Sequence, residues 1–173
     1  MERKYNLWSF LVCLLLLLFS IQSLYAAYND TWSISPPATV LWLLSVFTFF
    51  ISIFGFRDKR SWKTRWRSWV TVFLSFLLSA IFLLGMLVNT FGREHIGTTN
   101  SPDSKTTINF YTLNGGAATS ISVVGKIDGP LWFTKRIYYQ DNMDEVDVVW
   151  TNNHLVTINN HPLNLDKDEF YLD

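Results

Sequence analysis

Four acidic side chains, Asp141, Asp144, Glu145 and Asp147, crowd into one short segment. Several carboxylate oxygens together are what a calcium ion takes as ligands. The spacing lacks the loop with a central glycine and a terminal glutamate, so the segment reads as a solvated acidic turn. Asp166, Asp168 and Glu169 read the same way. His95, His154 and His161 share no ligand spacing, and the one cysteine, Cys13, stands far from them. Zinc sites use closely spaced Cys and His pairs, so no metal site is expected. Thr119, Ser120 and Ser122 are strand residues rather than a nucleophile on a strained strand-to-helix turn. No phosphate loop or dinucleotide fingerprint occurs. These residues lead to the expectation of a non-enzymatic protein without a cofactor.

The elements that must carry them fall into two groups. The chain has 173 residues, 49 % apolar and 17 % aromatic, with 14 basic and 14 acidic residues. Three apolar runs, 7–27, 38–56 and 69–91, contain no Asp, Glu, Lys, Arg or His. Each approaches the roughly 20 residues a helix needs to cross a bilayer. In lipid the backbone must satisfy its own hydrogen bonds, so each run is expected to be a transmembrane helix. The first run, behind Arg3 and Lys4, has the charged start of a signal peptide. Cleavage after Ala26 or Ala27 would put Leu24 or Tyr25 where a small residue is wanted, so the run is expected to stay as a helix.

Charge orients these runs. Arg3 and Lys4 precede the first, and the loop 28–37 has no Lys or Arg. The next loop carries Arg57, Lys59, Arg60, Lys63, Arg65 and Arg67, opposed only by Asp58. The positive-inside rule puts that loop and the N-terminus in the cytoplasm and the C-terminal segment outside the cell membrane. Residues 92–173 are acidic, with six basic against eleven acidic residues, which argues against nucleic acid as a partner.

Two patterns on the helices point to contacts. Ser45, Thr48, Ser52 and Gly55 form one stripe of small residues, and Thr71, Ser75 and Ser79 another. Such stripes let helix backbones approach, and their hydroxyls can bond across. They serve either a hairpin of the second and third helices or contact with a different membrane protein. In the basic loop, Trp62, Trp66 and Trp69 fall at i, i+4 and i+7, flanked by Arg60, Lys63 and Arg67. A short amphipathic turn on the inner leaflet has this form, either as a plain topology anchor or as a site for anionic lipid.

The outer segment reads as β structure. Residues 92–105 are polar and rich in Gly, Ser, Thr and Asn, and are expected to be a linker. Strands are expected over 107–113, 118–127, 132–140, 146–151 and 155–159, with a short one over 163–165. Asn114-Gly115-Gly116, Asp128-Gly129-Pro130 and Asn152-Asn153 supply the turns. This spacing predicts a small antiparallel meander or sandwich over 106–173. A domain so small, without disulfides, buries little surface and is expected to lean on the helices, a second copy or another protein. Its open edges could accept a partner strand.

The C-terminal pattern carries a resemblance. Ser101-Pro102-Asp103 leads into Thr107-Ile108-Asn109-Phe110-Tyr111 and Asn114-Gly115-Gly116-Ala117. Gly129-Pro130-Leu131-Trp132-Phe133, Arg136-Ile137-Tyr138, Val149-Trp150 and Thr157-Ile158-Asn159 follow. Over about 101–173 this resembles a family of small membrane proteins of unknown function from Bacillus-like Gram-positive bacteria. The resemblance implies a membrane-anchored extracytoplasmic domain with no assigned activity.

The expected protein is thus a three-helix membrane protein whose outer β module binds a protein partner or senses an envelope signal. Its expected partners are membrane lipids, anionic ones among them, and another membrane or envelope protein or a second copy. The alternatives are an accessory subunit of a transporter or envelope complex, and protection against a membrane-acting toxin.

Overall fold

The computed structural model describes residues 2–55, 61–114 and 120–173. Three helices come first, α1 (Glu2–Asn29), α2 (Ala38–Gly55) and α3 (Trp62–Phe91). The strands β1 (Arg93–Asn100), β2 (Thr107–Asn114), β3 (Ile121–Asp128) and β4 (Thr134–Asp141) follow. Then come β5 (Val148–Trp150), β6 (Leu155–Ile158), β7 (His161–Asn164), a 3-10 turn at Leu165–Lys167 and β8 (Tyr171–Leu172). The chain divides into two compact units: Met1–Ser23 with Ser35–Leu87, and Leu24–Ile34 with Val88–Asp173.

Within the helical unit, Pro37 sits just ahead of α2, where a missing N–H costs nothing. Its carbonyl accepts from Val40 and Leu41. Asn6–Asn29 and Trp62–Phe91 are long and apolar enough to cross a membrane, and Ala38–Phe54 is a shorter apolar helix. The expected start of the third helix at residue 69 is corrected to Trp62. Residues 62–68 hold no Gly or Pro, and the Ser61 carbonyl accepts from Thr64 and Arg65, so the basic segment winds directly into the apolar one.

The side chains of this unit are arranged with polar groups inside. Cys13, Leu16, Leu41, Leu78 and Phe82 form its apolar centre. Asn6, Ser9, Ser45, Thr48, Ser52, Ser68, Thr71 and Ser75 are also buried. Large apolar side chains face outward instead, among them Leu18, Phe47, Phe73 and Leu84. Water would drive the opposite distribution.

The second unit is two antiparallel meanders. One sheet has the order β1-β2-β3-β4-β8, the other β5-β6-β7, and among the described residues only β8 runs parallel to its neighbour. Alternate residues of the large sheet, Ile108, Phe110, Val123 and Tyr138, meet Val156, Ile158 and Leu163 of the small one in a common core. Gly125 is required there. A Cβ on it would lie 2.9 Å from Phe110 Cε1 and 3.1 Å from Tyr138 Cβ. Beside it the β3–β4 register shifts, and Ile137 and Tyr138 are both buried.

The polar linker expected over 92–105 is corrected to a strand and a hairpin. β1 pairs with β2 from Arg93↔Leu113 to Asn100↔Thr107. Its ladder is made of backbone bonds, which need no apolar side chain. Polar pairs across the strands add to it, with Thr98 Oγ1 donating to Asn109 Oδ1 at 2.6 Å and Thr107 Oγ1 to Asn100 Oδ1 at 2.9 Å. The hairpin is closed by Ser101, whose Oγ accepts from Thr106 N at 3.0 Å. The turn residues Gly115 and Gly116, with Ala117 to Thr119, lie outside the described residues.

Candidate functional site

The acidic turn is tied into the sheet rather than gathered round a ligand. Ser120 Oγ and Ser122 Oγ donate to Asp141 Oδ1 at 2.5 and 2.7 Å. These bonds, with one from the Asn142 backbone, hold the Asp141 carboxyl below the usual carboxylate range. Asp144, Glu145 and Asp147 are exposed. Among the described residues, no group of three or more His, Cys, Asp or Glu side chains is placed to hold a metal ion. The three histidines have separate partners. His95 meets the Tyr111 ring edge-on at 5.4 Å. His154 Nδ1 faces Asp166 Oδ1 at 2.9 Å. His161 stacks on Tyr171 at 3.7 Å.

The small-residue stripes lie inside the helical unit. Ser45, Thr48, Ser52, Thr71 and Ser75 are buried, and Ser79 is half-buried. Their hydroxyls turn back to their own helices, not across. Ser45 donates to Trp42 O, Thr48 to Leu44 O and Ser52 to Phe49 O, each at 2.7 Å. Thr71 donates to Arg67 O at 2.8 Å and Ser75 to Val72 O at 3.1 Å. A hydroxyl on a helix reaches the carbonyl three or four residues back without a partner helix. Gly55 ends α2.

The basic loop divides. Arg57, Lys59 and Arg60 lie outside the described residues. Trp62, Trp66 and Trp69 are exposed on the first turns of α3, with Lys63 and Arg65 exposed beside them. The Trp62 and Trp66 rings meet edge to face at 5.6 Å. Arg67 turns inward, where its Nε donates to Asn6 Oδ1. Asn6 Nδ2 donates in turn to Ser68 Oγ at 2.5 Å. Asn6 thus joins the start of α1 to the start of α3. Sequence reasoning passed over Asn6, although it is an amide at the edge of an apolar run.

The arrangement with most chemical content lies on the outward face of the five-stranded sheet. Arg93, His95, Tyr111, Lys126, Asp128 and Thr134, with Asn89 from the last turn of α3, line a cleft of about 290 Å³. Strand register assembles it. His95 lies opposite Tyr111, Asn109 opposite Lys126, Lys126 opposite Arg136 and Asp128 opposite Thr134. A chain of hydrogen bonds crosses three strands. His95 Nε2 and Thr98 Oγ1 are 2.9 Å apart, Thr98 Oγ1 donates to Asn109, and Asn109 Nδ2 donates to Asp128 Oδ2 at 2.7 Å.

Positive charge accumulates in this cleft. Arg136 is neutralised by Asp30, and its Nη2 also donates to Ala27 O at 3.2 Å. Neither Arg93 nor Lys126 has an ion pair among the described residues. Burial, then the like charges of Arg93 and Arg136, push the Lys126 ammonium down to about 8, and Asp128 opposes them. The cleft was not legible in sequence, because its cations come from three strands. The available signal was Lys126 itself, a charge inside the apolar stretch Val123-Val124-Gly125-Lys126-Ile127.

No curated protein and no solved structure matches the chain. A family of unknown function, DUF5412, matches residues 63–172, from the first turn of α3 to β8. That match covers more than half of the sequence, and the chain belongs to this family.

Proposed function

We propose that the protein crosses the cell membrane three times with its N-terminus inside, and presents the β unit outside as a binding module rather than an enzyme. The reversed polarity of the helical unit supports the membrane reading, since lipid accepts Phe47, Phe73 and Leu84 on the surface. At 1.5 Å per residue α2 is about 27 Å long, and a bilayer thins locally for a helix that short. The Lys and Arg of the segment between α2 and α3 support the orientation.

The observation that carries the binding role is β1. It is the terminal strand of the large sheet, it is eight residues long, and it pairs with β2 alone. A strand with one free edge offers a row of backbone donors and acceptors to an incoming chain. The bulge at Ile96 leaves Gly97–Asn100 as its straight part. The partner is a protein that adds a strand there.

Single cysteines test both parts. With Cys13 replaced by Ser, Thr98→Cys is expected to react with an impermeant maleimide on intact cells, and Lys63→Cys only after lysis. The reverse pattern overturns the topology. A photo-crosslinker at Thr98 is expected to capture one protein at fixed stoichiometry. Capture that is unchanged when the crosslinker is moved to Lys167 overturns docking at β1.

A further inference from the structure

We propose that the cleft between Arg93 and Lys126 binds the phosphate group of an anionic ligand. Three observations carry this. The first is shape: about 290 Å³ is near the lower end of the ~300–1,000 Å³ usual for ligand sites, the scale of a head group rather than a peptide. The second is charge. Arg93 and Lys126 face one hollow without a carboxylate partner among the described residues, while the neighbouring Arg136 is occupied by Asp30. The third is donor chemistry. Arg93 and Lys126 line the cleft together with Thr134, and phosphate oxygens take charge-assisted hydrogen bonds from guanidinium and ammonium groups.

The groups around Lys126 are few. Arg93 and His95 come from β1, Tyr111 from β2, Asp128 from its own strand and Arg136 from β4. Asp128 is the one carboxylate on the cleft wall, and the amide of Asn109 occupies its Oδ2. It lowers the positive potential of the site without closing it. Like charges held together in a half-buried hollow repel, and a bound anion removes that repulsion. Burial first, and this repulsion second, depress the Lys126 ammonium.

The phosphate has two possible sources. Asn89, on the last turn of α3, lines the cleft, and Arg136 reaches Ala27 near the end of α1. If α1 and α3 span a bilayer, these helix ends lie at the level of lipid phosphates. A soluble phosphate compound satisfies the same donors. Binding of the phosphate itself rests on the cleft alone, whereas the lipid source rests on the membrane reading.

The test uses the full chain in maltoside detergent. In one arm inorganic phosphate is titrated and the shift in unfolding temperature is read. In the other, native mass spectrometry counts phosphatidylglycerol retained from mixed vesicles that also contain phosphatidylcholine. Wild type is expected to bind in at least one arm, with Arg93→Gln and Lys126→Gln together losing tenfold or more. Lys126→Arg is expected to keep binding, and Asp128→Asn to strengthen it. Response only to phosphatidylglycerol supports the site with lipid as source, and response to free phosphate supports it with a soluble one. Binding that is equal in wild type and the double variant overturns the proposal. If that variant does not fold, NMR of ¹³C-methylated lysines in the wild type decides. Added phosphate or phosphatidylglycerol should raise the Lys126 titration point, and a titration that moves with neither overturns the site.

Discussion

Arg136 on β4 grips Asp30, the residue just past α1, through both its Nε and its Nη2. The same guanidinium reaches back to Ala27 O, and the Ser33–Thr134 bridge lies next to it. The segment Leu24–Ile34 is thereby part of the β unit although it is far away in sequence. Hydrogen bonds to charged groups contribute about 1.5–3 kcal/mol. Arg136→Gln is expected to lower unfolding stability by about that amount, and Arg136→Lys by less, because one ammonium cannot reproduce the fork. Thermal unfolding of the three proteins in one detergent checks this.

Gly125 has no room for a methyl group. Gly125→Ala is expected to cost about 1–3 kcal/mol, the range for overpacking a well-filled core. Phe110 Cε1 is the nearest atom at 2.9 Å, so Phe110→Leu in the same chain is expected to recover part of the loss. A double-mutant cycle measures the coupling. Additive losses would place the strain at Tyr138 Cβ, which cannot move aside.

Lys126 gives the protein a pH dependence of definite sign. Its ammonium titrates near 8 when folded, against an ordinary value of 10.5. Between those values the unfolded chain holds more protons than the folded one, so stability rises with pH. The penalty is fully present below pH 8 and is relieved as pH climbs toward 10.5. Lys126→Met is expected to be more stable than wild type at pH 7 and to lose this slope. Denaturant unfolding across pH 7–10.5 checks both.

Leu131 is exposed and has φ of 62°, in the left-handed region that costs an L-residue about 1–2 kcal/mol. Leu131→Gly is expected to stabilise the β unit by about 0.5–1 kcal/mol, the remainder offset by the entropy of glycine in the unfolded chain. Thermal unfolding reads the gain, and a loss would mean that the exposed side chain has a contact of its own.

The parts of this fold that were legible were those that bury side chains with a period. Ile108 and Phe110 on β2, and Val148 and Trp150 on β5, alternate toward the core, and their strands stand out in the sequence. β1 did not. Of its eight residues only Ile96 packs on the core, and the ladder that holds it is backbone. β8 escaped for a related reason: two residues beside β4 carry no period, and the stacking of Tyr171 on His161 and Tyr138 is fixed by tertiary structure. The cation cleft needs the register of four strands before Arg93, Lys126 and Arg136 become neighbours. In the helices, composition identified the small residues, but which carbonyl each hydroxyl prefers is a matter of local geometry.

That preference has a mechanical consequence. Because Ser45, Thr48, Ser52, Thr71 and Ser75 spend their hydroxyl protons on their own helices, these five side chains donate no bond that must break when one helix rolls against another. At the starts of α1 and α3, Asn6, Arg67 and Ser68 join the two helices by side-chain hydrogen bonds. Directional bonds thus mark where α1 meets α3, while the small-residue faces of α2 and α3 can hold a neighbour only by close fit, which sets spacing more firmly than rotation.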